Sequence, residues 1–198
     1  LMKRNNIQKR GDGLIYWYFT RLKGFTEAEV EEVLCDGSGD LGLDVIWVDD
    51  EELVHFFTFK NPEDPAKAFP AGEVDKTISG LRVILHRRHG TIANADLKAR
   101  LDEVYQQVPK GYRLHFVTSG IGIPEEASVK LDALVDDLRG PSNGILLCDE
   151  QPLDQLQELF YQQSLPAVKD PIDFSLSTAP YMCRSGIADC YLFHVNGQ

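Results

Sequence analysis

The stretch from Gly37 to Lys60 constrains the fold of this chain more than any other part of it. It begins with a glycine-rich loop that carries Asp40 and ends at Asp44, where the apolar run Val45–Val48 starts. Four acidic residues follow, and a second apolar and aromatic run continues to Lys60. Two β-forming runs around a short polar turn are typical of a β-hairpin. Because opposite strand ends meet in an antiparallel pair, we expect Asp44 and Lys60 to lie at one edge.

A carboxylate beside an ammonium suits metal-assisted hydrolysis of phosphodiesters. Carboxylate oxygen is the ligand that Mg²⁺ prefers, and a bound cation polarises a phosphoryl oxygen and lowers the pKa of bound water. A nearby lysine can orient that water or stabilise the developing charge. The pattern therefore indicates a site built on Asp44 and Lys60. The simpler alternative is that Asp44 caps loop amides and that Lys60 is an exposed residue at a strand end.

The glycine-rich loop also raises the question of nucleotide binding. Dense glycines allow a close approach of another group to the backbone. However, the chain has no G-x-x-x-x-G-K-[ST] motif, and a strand rather than a helix follows the loop. Both features of a phosphate-binding loop are thus missing, and a nucleotide site is disfavoured.

The charge distribution limits the partners that the chain can bind. The 198 residues carry a net charge of -11, which disfavours simple electrostatic binding of nucleic acid. Basic residues nevertheless concentrate in 1–23 and 76–113, and such patches can contact phosphates. Arg87 and Arg88 are candidates for such a contact, although the simpler explanation is that the charge blocks are solvated faces and that these two arginines cover the C-terminus of a helix.

Hydropathy and the N-terminal residues predict a cytoplasmic protein without a membrane span. No run of about 18 apolar residues occurs, and the first residues lack the apolar region of a secretory signal. A hydrophobic fraction of 43% is sufficient for one folded domain with a proper core.

Periodicity along the chain predicts an α/β fold, with a mixed central sheet flanked by helices. Between residues 112 and 148, a strand, a helix and a strand should form a right-handed parallel crossover. The predicted helices are 13–23, one that Thr26 caps through a capping box with Glu29, 73–89, 94–108, 124–139 and 152–162; the predicted strands are 45–48, 53–60, 112–118, 145–148 and 190–195.

The same residues carry a resemblance to a known family. The segment 31–44, EEVLCDGSGDLGLD, and the strand end FTFK at 57–60 resemble the N-terminal domain of the AIPR (abortive infection phage resistance) family of bacteria. That family is restriction-endonuclease-like, with the PD-(D/E)xK nuclease motif. The resemblance implies a phage-defence nuclease that hydrolyses nucleic acid, DNA rather than RNA, with Mg²⁺ or Mn²⁺ as cofactor.

Within this resemblance, Asp44 matches the metal-binding aspartate and Lys60 the catalytic lysine, and the backbone carbonyl of Phe59 would be a further metal ligand. Thr58 departs from the pattern, because it stands where the family has Glu or Gln. A neutral hydroxyl is a weaker ligand, so Asp40, Asp36 or Asp12 would have to supply the missing oxygen. The alternative is a degenerate nuclease-fold module that binds nucleic acid or protein without turnover.

The resemblance also implies a domain organisation. Residues 1–165 would form the nuclease domain, and 166–198 would lead into a further C-terminal domain of the same protein. The sequence is compatible with a homo-oligomer but gives no residue that would require one.

Overall fold

The computed structural model describes residues 10–35, 37–86, 88–107, 109–138, 145–164, 181–184 and 189–192. The chain divides into two compact units, Leu1–Ser164 and Leu165–Gln198. The first unit contains the candidate site. Within the second, β5 (Tyr181–Arg184) and β6 (Asp189–Leu192) form an antiparallel pair.

The described residues of the first unit form six α-helices and four strands. They are α1 (Arg10–Tyr18), α2 (Glu27–Val33), β1 (Val45–Val48), β2 (Leu53–Lys60), α3 (Ala71–Leu85), α4 (Ala95–Gln106), β3 (Gly111–Thr118), α5 (Glu125–Leu138), β4 (Ile145–Gln151) and α6 (Leu153–Ser164). A π-helical turn, Phe19–Lys23, continues α1, and Gly24 ends it in a left-handed conformation with φ 77°. A 3-10 turn, His89–Thr91, precedes α4.

The four strands form one mixed sheet in the order β1-β2-β3-β4. β1 is antiparallel to β2, with Val45 opposite Phe57, while β2, β3 and β4 are parallel. The predicted α/β class, the hairpin and the parallel crossover are therefore confirmed.

Each face of the sheet packs against its own helices, because side chains alternate along β2. Phe56 joins a core formed with α3, α4 and α5, whereas Phe57 and Phe59 join a second core formed with α1, α2 and α6. The second core is mostly aromatic near β2, where Tyr18 and Phe19 contact Phe57 and Phe59 edge-on or tilted. The end of the sheet is thus enclosed by α1 on one face and α3 on the other.

The predicted starts of α2 and α4 agree with the structure. Thr26 and Glu29 form both hydrogen bonds of the capping box, and the side chain of Asn94 accepts from Leu97 N at 2.9 Å. These caps satisfy amide groups that the start of a helix leaves unpaired. A few residues of sequence are therefore enough to predict where each of these two helices begins.

Other element bounds differ from the prediction. β4 extends through Asp149 and Glu150 to Gln151, because β3 supplies hydrogen-bonding partners beyond Cys148. α3 ends at Leu85 instead of 89. In the second unit, β5 was not predicted, and β6 begins one residue early; the predicted continuation of β6 to 195 lies outside the described residues. Within the described ranges, no helix combines the length and apolar character that a membrane crossing needs.

Candidate active site

A cavity of about 340 Å³ lies at the end of the sheet where β1 begins and β2 ends. Of the predicted catalytic residues Asp44, Thr58 and Lys60, it contains Asp44 and Lys60, together with Phe59 and two residues from the first turns of α3. The lining residues are Asp12, Ile15, Asp40, Gly42, Asp44, Phe59, Lys60, Asn61, Glu73 and Lys76. Four carboxylates and two ammonium groups therefore surround one space.

Asp44 is held in place by the neighbouring strand. Its backbone N–H donates to the carbonyl of Phe57 at 2.9 Å, and its carboxylate Oδ2 accepts from the backbone N–H of Phe59 at 2.6 Å. These hydrogen bonds fix the carboxylate beside the last residues of β2. They also show that Asp44 caps a backbone amide, as in the simpler alternative, so the capping role and the cavity position coexist.

Lys60 pairs with a residue that sequence reasoning missed. Its Nζ lies 3.4 Å from Oε1 of Glu73, and both side chains are a little more than one-third exposed. Glu73 is in the first turn of α3. The helix dipole favours an acidic residue in the first turn of a helix, so the sequence explains Glu73 without a site. No spacing rule pairs a residue of this helix with a lysine on a strand.

Asp40 forms a second ion pair in the lining of the cavity. Its Oδ1 accepts from Lys76 Nζ at 2.7 Å and from the backbone N–H of Gly42 at 2.8 Å. The hydrogen bond with Asp40 outweighs burial and raises the pKa of Lys76, and the charges of Asp40, Glu73 and Asp44 act in the same direction. Lys76 was not among the predicted site residues.

Thr58 lies apart from the cavity lining. Its side chain is buried between β2 and α3, and its hydroxyl donates to the carbonyl of Gly42 at 2.7 Å. Thr77 donates to the same carbonyl at 3.0 Å. The threonine therefore ties the glycine-rich loop to the sheet, and a catalytic role for Thr58 stays a prediction.

The glycines of the loop allow close packing against α3. A Cβ on Gly42, whose φ is +81°, would lie 2.7 Å from Oγ1 of Thr77. On the helix side, a Cβ on Gly80 would lie 2.5 Å from the backbone oxygen of Leu41. The glycine-rich loop that carries Asp40 therefore packs tightly against α3. This packing accounts for the glycines of the loop, so a bound phosphate is not needed to explain them.

The remaining predicted residues are placed as follows. Asp12 is the third residue of α1, which begins at Arg10 instead of the predicted 13, and it lines the cavity. Arg88 is exposed and is not part of the lining. Asp36 and Arg87 lie outside the described residues.

The donor set is compatible with Mg²⁺ in its chemistry, although the described residues do not form a complete cage. Among them, no three His, Cys, Asp or Glu side chains come together as a metal-binding group. Mg²⁺ usually retains several waters and is held by one or two carboxylates together with substrate phosphates. Asp44, with Asp40 or Glu73 and the Phe59 carbonyl, would suffice for that mode of binding.

Comparisons with known proteins found no relative of this chain. No family model, no curated protein and no solved structure matches it. The fold and the cavity therefore carry the functional argument.

Proposed function

We propose that this protein is a metal-dependent nuclease that hydrolyses phosphodiester bonds of nucleic acid. The observation that carries the proposal is the cavity at the end of the sheet, where Asp44, Phe59 and Lys60 line one space. Two of these groups are fixed by the same contact, since the Phe59 N–H donates to the Asp44 carboxylate. A restriction-endonuclease-like domain of a phage-defence protein is the biological setting that the sequence motif favours, with DNA as the preferred substrate.

The side chains of the cavity would have different roles in such a reaction. When bound, Mg²⁺ or Mn²⁺ would polarise a phosphoryl oxygen and lower the pKa of a water molecule. Asp44 would hold that cation, and its hydrogen bond with Phe59 keeps the carboxylate oriented before the cation arrives. Lys60 would hold the attacking water and stabilise charge on the phosphoryl oxygens. Glu73, 3.4 Å from Lys60 Nζ, keeps the ammonium at the cavity wall.

A binding module without turnover is the second candidate, and the position of Thr58 favours it. The hydroxyl points into the packing between β2 and α3 and is bonded to Gly42. The ligand that PD-(D/E)xK nucleases have at this position is therefore missing from the cavity. Asp40, Asp12 or Glu73 would have to replace it for catalysis to occur.

Cleavage assays on the chain and four variants test the proposal. Purified protein would be incubated with duplex DNA, single-stranded DNA and RNA, each with Mg²⁺, with Mn²⁺ or with a chelator. We expect metal-dependent cleavage that falls by about a hundredfold or more in Asp44→Asn and in Lys60→Met. Asp50→Asn at the exposed hairpin tip and Lys130→Met on α5 are matched controls, because both are exposed and lie outside the cavity.

Two results would decide against a nuclease. Cleavage at the wild-type rate in both cavity variants would show that another site, or a contaminant, cuts the substrate. Metal-independent binding of nucleic acid without any cleavage would support the second candidate instead. Thermal unfolding of each variant establishes that it is folded.

A further inference from the structure

We infer that Lys76 is an internal counter-ion of Asp40, and that a divalent cation which takes Asp40 as a ligand must displace this lysine. The inference rests on the proposed function for the identity of the competing cation. Its starting point is an ion pair inside the candidate site, between a residue of the glycine-rich loop and a residue of α3, 36 positions apart.

The two partners differ in their freedom to move. The side chain of Asp40 is 12% exposed, and its Oδ1 is also bonded to the Gly42 N–H. The side chain of Lys76 is 49% exposed and reaches the cavity from its rim. A lysine ammonium ends a flexible four-carbon stem, so Lys76 can withdraw while Asp40 remains in place.

The ammonium of Lys76 lies in the field of three carboxylates. Asp40 contributes most to the raised pKa of this lysine, and Glu73 and Asp44 add to it. The Oδ1 atom of Asp40, 2.7 Å from the ammonium, is an oxygen that Mg²⁺ or Mn²⁺ bound to Asp40 would need. Two cations cannot share it at close range without strong repulsion, so lysine and metal exclude each other at Asp40.

The exchange gives the displaced lysine a second role. A withdrawn Lys76 remains at the rim of the cavity, where it can bind a substrate phosphate as a point charge. Occupation of the carboxylates by the metal would thus release a phosphate-binding group. Lys76 would then be a positioning residue for the substrate and would act only in the metal-loaded protein.

Calorimetric titration with MnCl₂ tests the competition directly, without a substrate. In Lys76→Met the competing charge is removed, and we expect Mn²⁺ to bind about three- to tenfold more tightly than in the wild type. Lys76→Arg keeps the charge and should retain an affinity near that of the wild type. Lys130→Met is the matched control: it removes the same charge from another lysine paired with α3, since Lys130 Nζ lies 2.8 Å from Oδ1 of Asp75.

The outcomes separate this inference from the proposed function. Equal Mn²⁺ affinity in the wild type and Lys76→Met, or no binding in either, would overturn the inference. Tighter Mn²⁺ binding in Lys76→Met, but not in the control Lys130→Met, supports the inference. If no variant cleaves nucleic acid, that result contradicts only the nuclease proposal. Thermal unfolding checks the fold of Lys76→Met, and Lys76→Gln provides a second neutral variant with the same expected gain in affinity.

Discussion

His55 Nδ1 lies 2.8 Å from His115 Nε2, so two imidazoles from neighbouring parallel strands share a hydrogen bond inside the protein. A carboxylate faces each end of the pair, Asp49 at 2.9 Å from His55 Nε2 and Asp149 at 3.4 Å from His115 Nδ1. If His55 donates to Asp49, then His115 donates to His55, and His115 Nδ1 carries no proton. That atom indeed has no hydrogen-bond partner. In this arrangement each imidazole carries one proton, so both rings are neutral.

This pair predicts a loss of stability in mild acid. Burial lowers the pKa of both rings, and for His115, whose pKa falls to about 4, the neighbouring His55 adds to the effect. Lys23 and Arg113 also disfavour the proton, while Asp49 favours it on His55 and Asp149 on His115. Below the ordinary value of 6.5, the unfolded chain binds protons that the folded protein does not. Stability should be complete above about pH 6.5 and should fall towards pH 4.

Urea unfolding over this pH range measures the effect. In His115→Gln, a side-chain amide can still donate to His55 but does not titrate, so the slope of stability against pH should become shallower. His86→Gln, which replaces an exposed histidine outside the pair, is the matched control. An equal slope in the wild type and His115→Gln would contradict the assignment.

Gly80→Ala should destabilise the protein by about 1–3 kcal/mol, because the added methyl would overpack the contact with the Leu41 backbone. Gly72→Ala is a matched control in the same helix. A Cβ there meets nothing within 4 Å, so this change should be neutral or stabilising by up to about 1 kcal/mol. Denaturant unfolding compares the two, and equal effects would show that the loop does not pack closely on α3.

Asn94→Ala should cost about 1–2 kcal/mol, because the asparagine caps α4 through its hydrogen bond from Leu97 N and is almost fully buried. The same side chain lies against Gly37 and Gly39 of the loop. Asn94→Asp keeps the oxygen that accepts from Leu97 N but loses the Nδ2 donor to the Cys35 carbonyl at 3.5 Å, so it should recover only part of this cost. A penalty as large in Asn94→Asp as in Asn94→Ala would assign the effect to the contact with the loop instead of the cap.

Thr58→Val should cost about 1 kcal/mol, since it removes one hydrogen bond to the Gly42 carbonyl while Thr77 keeps another. Thr58→Glu would place a carboxylate in a position that is 2% exposed, and we expect it to cost about 3 kcal/mol or more. Neither change should strengthen Mn²⁺ binding. A rise in affinity in Thr58→Glu would mean that the new carboxylate reaches the cavity and that the present site is a decayed one.

The elements with local signals could be predicted from the sequence. Thr26 with Glu29, Asn94, Gly24 and the acidic turn at 49–52 each mark a helix end or a hairpin through contacts within a few residues. The end of β4 could not be predicted in this way. Asp149 and Glu150 are poor strand formers by composition, and only pairing with β3 keeps them extended.

In the candidate site too, some residues have a local sequence signal and others do not. Asp44 and Lys60 could be identified because they end the two strands of one hairpin. Glu73 and Lys76 reach the same cavity only because α3 packs across the glycine-rich loop, and no sequence spacing encodes that packing. The hydrogen bond between His55 and His115 likewise has no local signal, because it depends on the register of β2 against β3.

The wall of the cavity is contributed by two parts of the chain joined by residues 61–70. Within this connection, residues 63–67 are exposed. A break there would leave Asp40 and Lys60 on one fragment and their partners Lys76 and Glu73 on the other, so neither piece would contain a complete ion pair of the site. The protein is therefore suited to a split design, in which two separately expressed fragments form the cavity only when they reassociate.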